Sequence, residues 1–406
     1  MRVLLLNQFY PPDVAPTGRY LHDLALQLTA DGHEVEVITS RRAYAGGERF
    51  PAREMRDGVS ITRVAGTGFG RERVWGRLLD ALGFMLGVAF TLRRRSQGPD
   101  VVVVLSTPPY LELLVRILAG RRLPRVHWAM DVYPDALAAA GWVSEHSPLW
   151  RGLCLLSRAQ YHDVRLVLAL GPFARRRLRE YTHPSTHIES VPLWGGPPAD
   201  DHSSKLTRAA RGWSAEHTVL QYSGNMGLGH RSSEFLEAAE KLGTRGPLWA
   251  FIGAGAGRDA ITRFAATHPH ARIQLLPYVP ASALAASLAA ADVHLVSLSQ
   301  RWEGILVPSK VPSAFCAGRP VIFVGPNDNE AAEWIRVSGG GWCVPENDVE
   351  ALLLAVAAAS DPHERQRRGA AALRFAQIHF DRERNSRHIV RLIEERAPGR
   401  VDEERE

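Results

Sequence analysis

Short apolar segments alternate with helical patterns along almost the whole of this 406-residue chain. In the first half, we predict strands at Arg2–Leu6, Glu34–Thr39, Val59–Val64, Asp100–Leu105, Arg125–Ala129, Leu166–Ala169 and Ile188–Val191. In the second half, we predict strands at Thr218–Tyr222, Trp249–Gly253, Ile273–Leu276, Val293–Ser297, Pro320–Val324 and Gly341–Val344. Strands separated by helices pair in parallel. The predicted fold class is therefore α/β, with two doubly wound parallel-sheet domains.

The alternation lapses once, around residues 193–216, where Trp-Gly-Gly-Pro-Pro-Ala-Asp-Asp is followed by polar residues. This composition is typical of an interdomain linker. A chain of this length is also too long for a single core. We therefore predict domains at residues 1–195 and 196–380. Residues 381–406 form a third segment, a helix of about Arg382–Arg396 and a charged tail, and one option is that the helix returns to the first domain.

Charge is distributed unevenly between the two halves. Residues 1–195 contain 25 Arg and no Lys against 18 acidic residues, a net +7, whereas residues 196–406 contain 24 basic and 25 acidic residues, a net −1. The first domain is therefore the one expected to meet an anionic surface. The basic residues do not interleave with aromatics as they do in nucleic-acid-binding modules, so no nucleic-acid partner is predicted.

An apolar stretch, Leu78–Leu92, lies between Arg71, Arg73 and Arg77 on one side and Arg93-Arg94-Arg95 on the other. It is shorter than the roughly 20 residues that span a bilayer. One interpretation is a helix in the membrane interface with arginines on anionic headgroups. The alternative is a buried core helix with a basic last turn. With no signal peptide and three widely spaced cysteines, we expect a cytoplasmic protein at the inner face of the cytoplasmic membrane and no metal site.

The segment 303–325 reads as a loop, a short helix opened by Pro308-Ser309-Lys310, a stop at Gly318 and a buried strand. A helix N-terminus offers unpaired N–H groups and a partial positive charge. A hydroxyl at Ser309 and an ammonium at Lys310 would complete a phosphate site there. The alternative is an ordinary strand-helix-strand unit in which Lys310 is only a solvated cation.

Three further loops follow predicted strands, where parallel sheets bind ligands. After the first strand, Thr17 and Gly18 precede a helix predicted at Tyr20–Asp31, and Gly18 would permit close approach of a phosphate, although a simple proline-rich turn explains the loop equally. Asn225, Gly227, His230 and Arg231 follow the first strand of the second half, where a glycine-rich backbone would lie against a ligand and His230 and Arg231 would bear on phosphate charge. The alternative is a flexible connector. Gly253 and Gly255 come after the next strand. No acidic residue follows them at the spacing of a dinucleotide site, so NAD is not predicted.

Two carboxylates stand at similar positions. Asp131 closes the strand Arg125–Ala129 and is a candidate to orient or deprotonate a hydroxyl. Glu330 begins a helix after the strand Pro320–Val324 and is a candidate to contact hydroxyl groups. A helix cap or a favourable first-turn charge explains each of them as well.

Taken together, the ordered motifs resemble glycosyltransferase family 4, in the fucosaminyltransferase-like branch that builds bacterial O-antigen, capsule and colanic-acid-type polysaccharides. The motifs are Phe9-Tyr10-Pro11-Pro12, Asp131-Val132-Tyr133-Pro134-Asp135, Tyr222-Ser223-Gly224-Asn225-Met226-Gly227, Gly253-Ala254-Gly255, Leu276-Pro277-Tyr278, Ala290-Ala291-Asp292-Val293, Val307-Pro308-Ser309-Lys310 and Ala317-Gly318-Arg319-Pro320-Val321. The resemblance implies a GT-B fold, in which two Rossmann-like domains face each other across a cleft. It also implies retaining, metal-independent transfer from a nucleoside-diphosphate sugar to a hydroxyl acceptor, one option being a polyprenyl-diphosphate-linked acceptor.

The resemblance also implies roles for individual residues. Asn225, His230, Ser309 and Lys310 would hold the donor diphosphate, Tyr278 and Val279 would frame the base, and Glu330 would contact the ribose or sugar. Gly18 and Asp131 would come from the acceptor domain, and we assign Asp131, Lys310 and His230 as the catalytic candidates. The family pattern has two glutamates eight residues apart, and its second glutamate is Ser313 here. Two alternatives therefore stay open: a nucleotide-sugar epimerase on the same fold, and an inactive membrane-associated scaffold.

Overall fold

The computed structural model describes residues 1–43, 48–66, 74–95, 97–120, 123–214 and 216–396. Arg71, Arg73 and the predicted charged tail lie outside this range. The chain divides into two units. The first unit comprises Met1–Val191 and the described chain from Glu383 onward, and the second unit is Pro192–Arg382.

The strands, numbered along the chain, are β1 Arg2–Leu6, β2 Glu34–Ser40, β3 Arg53–Arg56, β4 Val59–Val64, β5 Val101–Leu105, β6 Arg125–Trp128, β7 Leu166–Ala169, β8 His187–Ser190, β9 Val219–Ser223, β10 Leu248–Ile252, β11 Ile273–Leu276, β12 Val293–Ser297, β13 Val321–Val324 and β14 Gly341–Val344. The helices are α1 Pro16–Ala30, α2 Val74–Arg93, α3 Leu111–Ala119, α4 Asp135–Ala139, α5 Pro148–Tyr161, α6 Pro172–Arg179, α7 Asp201–Ala210, α8 Ser233–Leu242, α9 Arg258–Thr267, α10 Leu284–Ala289, α11 Lys310–Cys316, α12 Glu330–Ser338, α13 Val349–Ala359, α14 Pro362–His379 and α15 Arg382–Arg396.

The sheet of the first unit has the order β3-β4-β2-β1-β5-β6-β7-β8. Its pairs are parallel except β3 with β4, which is antiparallel. The strand order reverses between β1 and β5, and loops at such a reversal diverge to leave room for a ligand. In the unit's core, Phe84 and Val88 of α2 pack with Leu4, Leu6 and Val104 of the sheet.

The sheet of the second unit is parallel throughout, with the order β11-β10-β9-β12-β13-β14. When the strands are numbered within the unit, this order is 3-2-1-4-5-6, which is typical of sheets built from two mononucleotide-binding halves. The reversal lies between β9 and β12, which pair only through Val293 with Leu220 and His294 with Gln221. Loops after β9 and β12 therefore diverge at this point. The predicted α/β class with two doubly wound sheets is confirmed.

Four elements were not predicted. Strand β3 is a short edge strand of polar residues, and α4 is a single turn after Pro134. Helix α7 occupies the stretch interpreted as a linker, and that interpretation is wrong for residues 201–210. Arg208 of α7 donates to Ala290 O at 2.8 Å and pairs with Asp292 at 3.0 Å, so the helix is part of the second unit. Helix α14 packs through the small residues Gly369, Ala372 and Ala376. Because its buried residues are small, the sequence shows no large apolar side chains recurring at helical spacing.

Candidate functional site

The reversal of strand order between β9 and β12 brings three predicted residues together. Asn225 and His230 come from the loop after β9, and Lys310 begins α11 after the loop that follows β12. Lys310 Nζ lies 2.9 Å from His230 Nε2 and 3.4 Å from Asn225 O. It also lies 4.9 Å from the ring centroid of Tyr222, over the face of an aromatic ring that attracts cations. The four groups form one cluster at the carboxyl edge of the sheet.

The Lys310 ammonium has no counter-ion in this cluster. Among the described residues no Asp or Glu oxygen lies within 4.0 Å of Nζ, and burial lowers the pKa of Lys310 to about 7. His230 is neutral, because burial and the nearby Lys310 charge lower its pKa to about 3. The half-buried Lys310 ammonium contacts only neutral groups in this cluster, so its charge remains able to attract an anion.

Ser309 was predicted to complete a phosphate site at the start of α11, and the structure changes the contribution expected from this helix start. Ser309 is the N-cap residue of α11, but its hydroxyl makes no capping bond, and its C=O accepts from the Ser313 hydroxyl at 3.2 Å. Helix α11 has only seven residues, so its dipole is small. The positive charge at this edge therefore comes from the Lys310 side chain rather than from the helix start.

Arg231, predicted to bear on phosphate charge, is instead bound to protein carboxylates. Its guanidinium pairs with Glu234 at 3.0 Å and with Glu346 at 2.7 Å, and it donates to Asn347 Oδ1 at 2.7 Å. These contacts tie the loop after β9 to α8 and to the loop after β14. In this structure Arg231 is a structural cation, unlike Lys310.

Gly253 and Gly255 have a packing explanation. A Cβ at Gly253 would lie 2.2 Å from Gly224 O, and a Cβ at Gly255 would lie 2.5 Å from Asn225 Oδ1. Both have φ near +130°, which side-chain-bearing residues rarely adopt. The glycines let the loop after β10 lie directly on the loop that carries Asn225. At Gly227 a Cβ would be 3.1 Å from Asn225 Nδ2, so this glycine too is in contact with the Asn225 side chain.

The remaining predicted residues of the second unit lie at neighbouring strand ends. The Tyr278 side chain is half exposed next to Gly253, and its Cε1 lies 3.3 Å from where a Cβ of Gly253 would be. Val279 packs on a small apolar cluster that includes Trp213 and Ile252. Glu330, the first residue of α12, is fully buried beyond the end of β13.

In the first unit, Asp131 lies in a loop held at both ends. The Ser106 hydroxyl, at the end of β5, accepts from the backbone N–H groups of Met130 and Asp131 at 3.0 and 3.1 Å. Further on, Asp135 pairs with Arg177 at 2.6 Å. Burial raises the pKa of Asp131 to about 6. The backbone of Asp131 is thus held in place, while burial disfavours the charged form of its side chain.

Thr17 and Gly18 lie inside the first turn of α1, which begins at Pro16 and not at Tyr20 as predicted. Asn7 Nδ2 donates to the Thr17 hydroxyl at 3.3 Å. A Cβ at Gly18 would lie 2.9 Å from Phe9 O, so the glycine lets the helix start touch the preceding loop. This contact explains Gly18 without a ligand.

Sequence reasoning assigned no role to Tyr222, Ser297, Ser106 or Asn7. Tyr222 and Asn7 lie at the ends of buried strands, where the strand gives way to a loop, and this position in the sequence could have pointed to them. Ser297 and Ser106 act through contacts to residues far away in the chain, which no local pattern shows. Among the described residues, no group of three or more His, Cys, Asp or Glu side chains is placed to hold a metal ion.

Comparison with known proteins identifies the chain. Residues 17–194 match the family described as glycosyl transferase 4-like domain, and residues 217–361 match the family described as glycosyl transferases group 1. The chain belongs to the family 4 glycosyltransferases. It is therefore a glycosyltransferase, and the predicted enzyme class is confirmed.

Two relatives come from bacteria. The glycosyltransferase WbjE of Pseudomonas aeruginosa is 27% identical over 276 residues, covering 66% of this chain and 68% of WbjE. The glycosyl transferase WcaI of Escherichia coli strain K12, named for colanic acid biosynthesis, is 23% identical over 374 residues, covering 88% of this chain and 91% of WcaI.

Solved structures share the fold at lower identity. Sucrose-phosphate synthase of Thermosynechococcus elongatus has a TM-score of 0.78 at 15% identity, covering 97% of this chain and 99% of that one. Anabaena Alr3699/HepE, solved in complex with UDP-glucose, has a TM-score of 0.70 at 13% identity, covering 97% and 100%. The fold is GT-B, as predicted.

Proposed function

We propose that this family 4 glycosyltransferase moves a sugar from a nucleoside-diphosphate sugar to a hydroxyl acceptor, in the synthesis of a bacterial cell-surface polysaccharide. The observation that carries the proposal is the Lys310 ammonium, which has no carboxylate partner within the described residues and lies where the second unit's strand order reverses. The UDP-glucose complex of HepE supports a nucleotide-sugar donor, and the name of WcaI supports a polysaccharide product.

The donor diphosphate is the natural counter-ion of Lys310 in this proposal. Its negative charge would raise the pKa of Lys310 back toward the ordinary lysine value, so binding would fix the ammonium in its charged form. Backbone N–H groups of the loop after β9 would add neutral donors. Asn225, an exposed residue of this loop, would add its side-chain amide.

The reaction step follows from the charge distribution. The bond between the anomeric carbon and the diphosphate oxygen breaks, and a bond forms between that carbon and the acceptor oxygen. The acceptor proton passes to the departing phosphate oxygen on the same face, so configuration is retained without a strong protein base. Lys310 stabilises the negative charge that grows on the diphosphate, a task that a preorganised cation performs without a metal ion.

Asp131 belongs to the first unit, and we propose that it orients the acceptor hydroxyl. With a pKa of about 6 the carboxylate is mostly ionised at neutral pH, so it accepts a hydrogen bond from the hydroxyl. A polyprenyl-diphosphate-linked sugar is the acceptor that this proposal favours, because it would bring the acceptor to a membrane surface.

The nucleotide part of the proposal is tested by thermal shift with UDP, GDP and dTDP and their sugars, since stabilisation tracks affinity. Wild-type protein is expected to be stabilised by at least one of these nucleotides and Lys310→Ala protein by none. The stabilising nucleotide sugar is then incubated with and without a polyprenyl-diphosphate-linked acceptor. Donor turnover without acceptor would favour the epimerase, and binding without turnover would favour the inactive scaffold.

We also propose that the enzyme is cytoplasmic and binds the inner face of the membrane through α2. This helix is long and apolar enough to cross a membrane by length and composition, yet only 17% of the apolar window Trp75–Arg93 is buried. Its outward side carries a stripe of apolar residues at helical spacing. The exposed members are Trp75, Leu78, Leu79, Leu82, Leu86 and Phe90.

The opposite side of α2 rules against a transmembrane position. Phe84 and Val88 are fully buried in the core of the first unit, and a helix that left this core to cross the bilayer would expose it. A helix with one face in the protein and an apolar face outward fits the membrane interface instead.

Basic residues complete this surface. Arg94 lies 3.9 Å from the Phe90 ring centroid, and Arg77 lies 5.9 Å from that of Trp142. Helix α3 packs between α2 and α5, and α5 exposes Leu155 with Arg151 and Arg158 on the same side. Apolar side chains surrounded by arginines match a bilayer with anionic headgroups.

Vesicle co-sedimentation tests the membrane proposal. Wild-type protein is expected to pellet with vesicles that contain about one third phosphatidylglycerol, and less with pure phosphatidylcholine or at high salt. The double variant Leu82→Gln/Leu86→Gln should lose most of this binding. Leu354→Gln, which changes an equally exposed leucine of α13 in the second unit, is the matched control and should bind as wild type. Equal binding by the double variant would remove α2 from the interface.

A further inference from the structure

His230 is held in one orientation and one tautomer. Its Nδ1 lies 2.6 Å from Ser297 O, and its Nε2 lies 2.9 Å from Lys310 Nζ. A carbonyl oxygen only accepts hydrogen bonds, so Nδ1 carries the proton. In the neutral ring Nε2 then has a lone pair, and the ammonium of Lys310 donates to it. All hydrogen-bonding positions of the ring are satisfied in this single arrangement.

The segment that carries His230 is fixed by the end of β12. The Ser297 hydroxyl accepts from Arg231 N at 3.0 Å and donates to Arg231 O at 2.6 Å. One residue beyond Leu298, Ser299 N donates to Gly229 O at 2.9 Å. These bonds attach residues 229–231 to a central strand of the sheet, so the imidazole is a rigid support.

Lys310 needs such a support because a lysine side chain is flexible. Ordering a free lysine side chain on binding costs rotamer entropy. Here the ammonium is already held by Nε2 of His230, by Asn225 O and by the face of Tyr222. Each of these groups is neutral, so together they position the charge without cancelling it.

We propose that His230 is a positioning residue, a neutral imidazole that holds the Lys310 ammonium in place for the donor diphosphate through the chain Ser297–His230–Lys310. This replaces the earlier expectation that His230 itself contacts the diphosphate or acts as a catalytic group. The proposal rests on the proposed function only in naming a diphosphate as the anion. The hydrogen bonds that link Ser297, His230 and Lys310 are present without a ligand.

Two substitutions distinguish the hydrogen bond of His230 to Lys310 from its hydrogen bond to Ser297. In His230→Gln the side-chain amide oxygen reaches the position of Nε2 and still accepts from Lys310. In His230→Asn the amide reaches only the position of Nδ1, which keeps the bond to Ser297 O and loses Lys310. We expect His230→Gln to bind the stabilising nucleotide within about threefold of wild type and His230→Asn to bind it at least tenfold more weakly.

A double-mutant cycle tests whether His230 acts through Lys310. Affinities for whichever of UDP, GDP and dTDP stabilises the wild type are measured by calorimetry for wild type, His230→Asn, Lys310→Ala and the double variant. We expect the double variant to bind as weakly as Lys310→Ala alone. Additive losses would overturn the proposal, because His230 would then act independently of Lys310. Full binding by Lys310→Ala would overturn the proposed diphosphate site instead.

A ligand-free readout keeps the inference testable if none of these nucleotides binds. The chain contains three lysines, Lys205, Lys241 and Lys310, and the first two are exposed. Reductive methylation with ¹³C-formaldehyde therefore gives a simple NMR spectrum, in which the pKa of Lys310 can be followed directly. We expect His230→Gln to preserve this pKa and His230→Asn to change it. Identical titration of Lys310 in all three proteins would show that the contact is absent.

Discussion

Both sheets reverse their strand order once, and their carboxyl edges carry partly buried charges of opposite sign. The second unit has Lys310 at its edge, with a pKa lowered to about 7, and the first unit has Asp131, with a pKa raised to about 6. In both cases burial is the cause, and no opposite charge among the described residues lies within 4.0 Å. Glu112 and Arg125, which are both buried, instead pair with each other at 2.6 Å.

This difference in charge pairing supports the proposal that ligands bind at the two edges. An unpaired buried charge destabilises the folded protein, and a paired one does so less. The chain tolerates the unpaired state at the two edges, where a substrate can supply the missing partner. Arg231 shows the contrast at closest range, because it is one residue from His230 and is fully engaged with Glu234 and Glu346.

The largest expected effect comes from removing the charge of the second edge. We expect Lys310→Ala to lower turnover about 100-fold, because one preorganised donor to a developing anion is typically worth this much. Initial rates of sugar transfer measure the effect. Arg231→Ala is the matched control, and it should lower the melting temperature while keeping turnover within about threefold of wild type, since its partners are protein carboxylates. Similar turnover for both variants would erase the distinction between the two cations.

The next effect concerns the glycines that shape the edges. Gly253→Ala should cost about 2 kcal/mol or more of unfolding free energy, because its φ is +130° and the added Cβ meets Gly224 O at 2.2 Å. Gly18→Ala, at the edge of the first unit, should cost less because its backbone is helical and the added Cβ would lie no closer than 2.9 Å to its nearest neighbours, which are backbone atoms of Phe9 and Tyr10. Thermal melts compare the two variants, and an equal or larger loss for Gly18→Ala would contradict this ranking.

A smaller effect is expected from the carboxylate edge. Asp131→Asn should reduce transfer about tenfold, since an amide orients a hydroxyl less strongly than a carboxylate does. Donor binding should be unchanged, because Asp131 belongs to the other unit. The two readouts are initial transfer rates and the thermal shift with nucleotide. A reduced shift in Asp131→Asn would mean that the two edges are not independent.

The smallest effect is a difference in the pH dependence of stability. The pKa of Lys310 is lower in the folded protein than unfolded, so its destabilising effect is complete below about pH 7 and disappears as pH rises toward 10.5. The pKa of Asp131 is higher in the folded protein, so its destabilising effect is complete above about pH 6 and disappears as pH falls toward 3.8.

Thermal melts of the ligand-free protein between pH 4 and pH 10 check these signs. Lys310→Met should be more stable than wild type by about 1 kcal/mol at pH 6 and should lose this advantage toward pH 10. Asp131→Asn should show the opposite trend, with its advantage present at pH 8 and absent near pH 4. If Lys310→Met is less stable than wild type at pH 6, the ammonium has a partner that the cluster around it does not reveal.

The sequence predicted the sheet edges well because their positions follow from local patterns. The end of each buried strand is marked by the loss of apolar residues, so Asn225, His230 and Lys310 were assigned to the correct edge. Elements without such a pattern were missed. Helix α7 is polar over most of its length, and α14 buries alanine and glycine rather than large apolar side chains.

The partners of each charge could not be predicted in the same way. Lys310 meets His230 across 80 positions of sequence, and Arg231 meets Glu346 across more than 100. Before the fold is known, His230, Arg231 and Lys310 are equally plausible anion ligands. Only the tertiary distances show that one of them is neutral, one is neutralised by carboxylates and one has no counter-ion within the described chain.

The lowered pKa of Lys310 also makes it the most nucleophilic lysine of the chain. At pH 7 about half of the Lys310 side chains are unprotonated amines, against roughly one in three thousand for an ordinary lysine. A neutral-pH acylating reagent should therefore modify Lys310 ahead of Lys205 and Lys241, and a bound nucleotide should shield it. The same residue thus offers a point of covalent attachment for inhibitors directed at the proposed donor site.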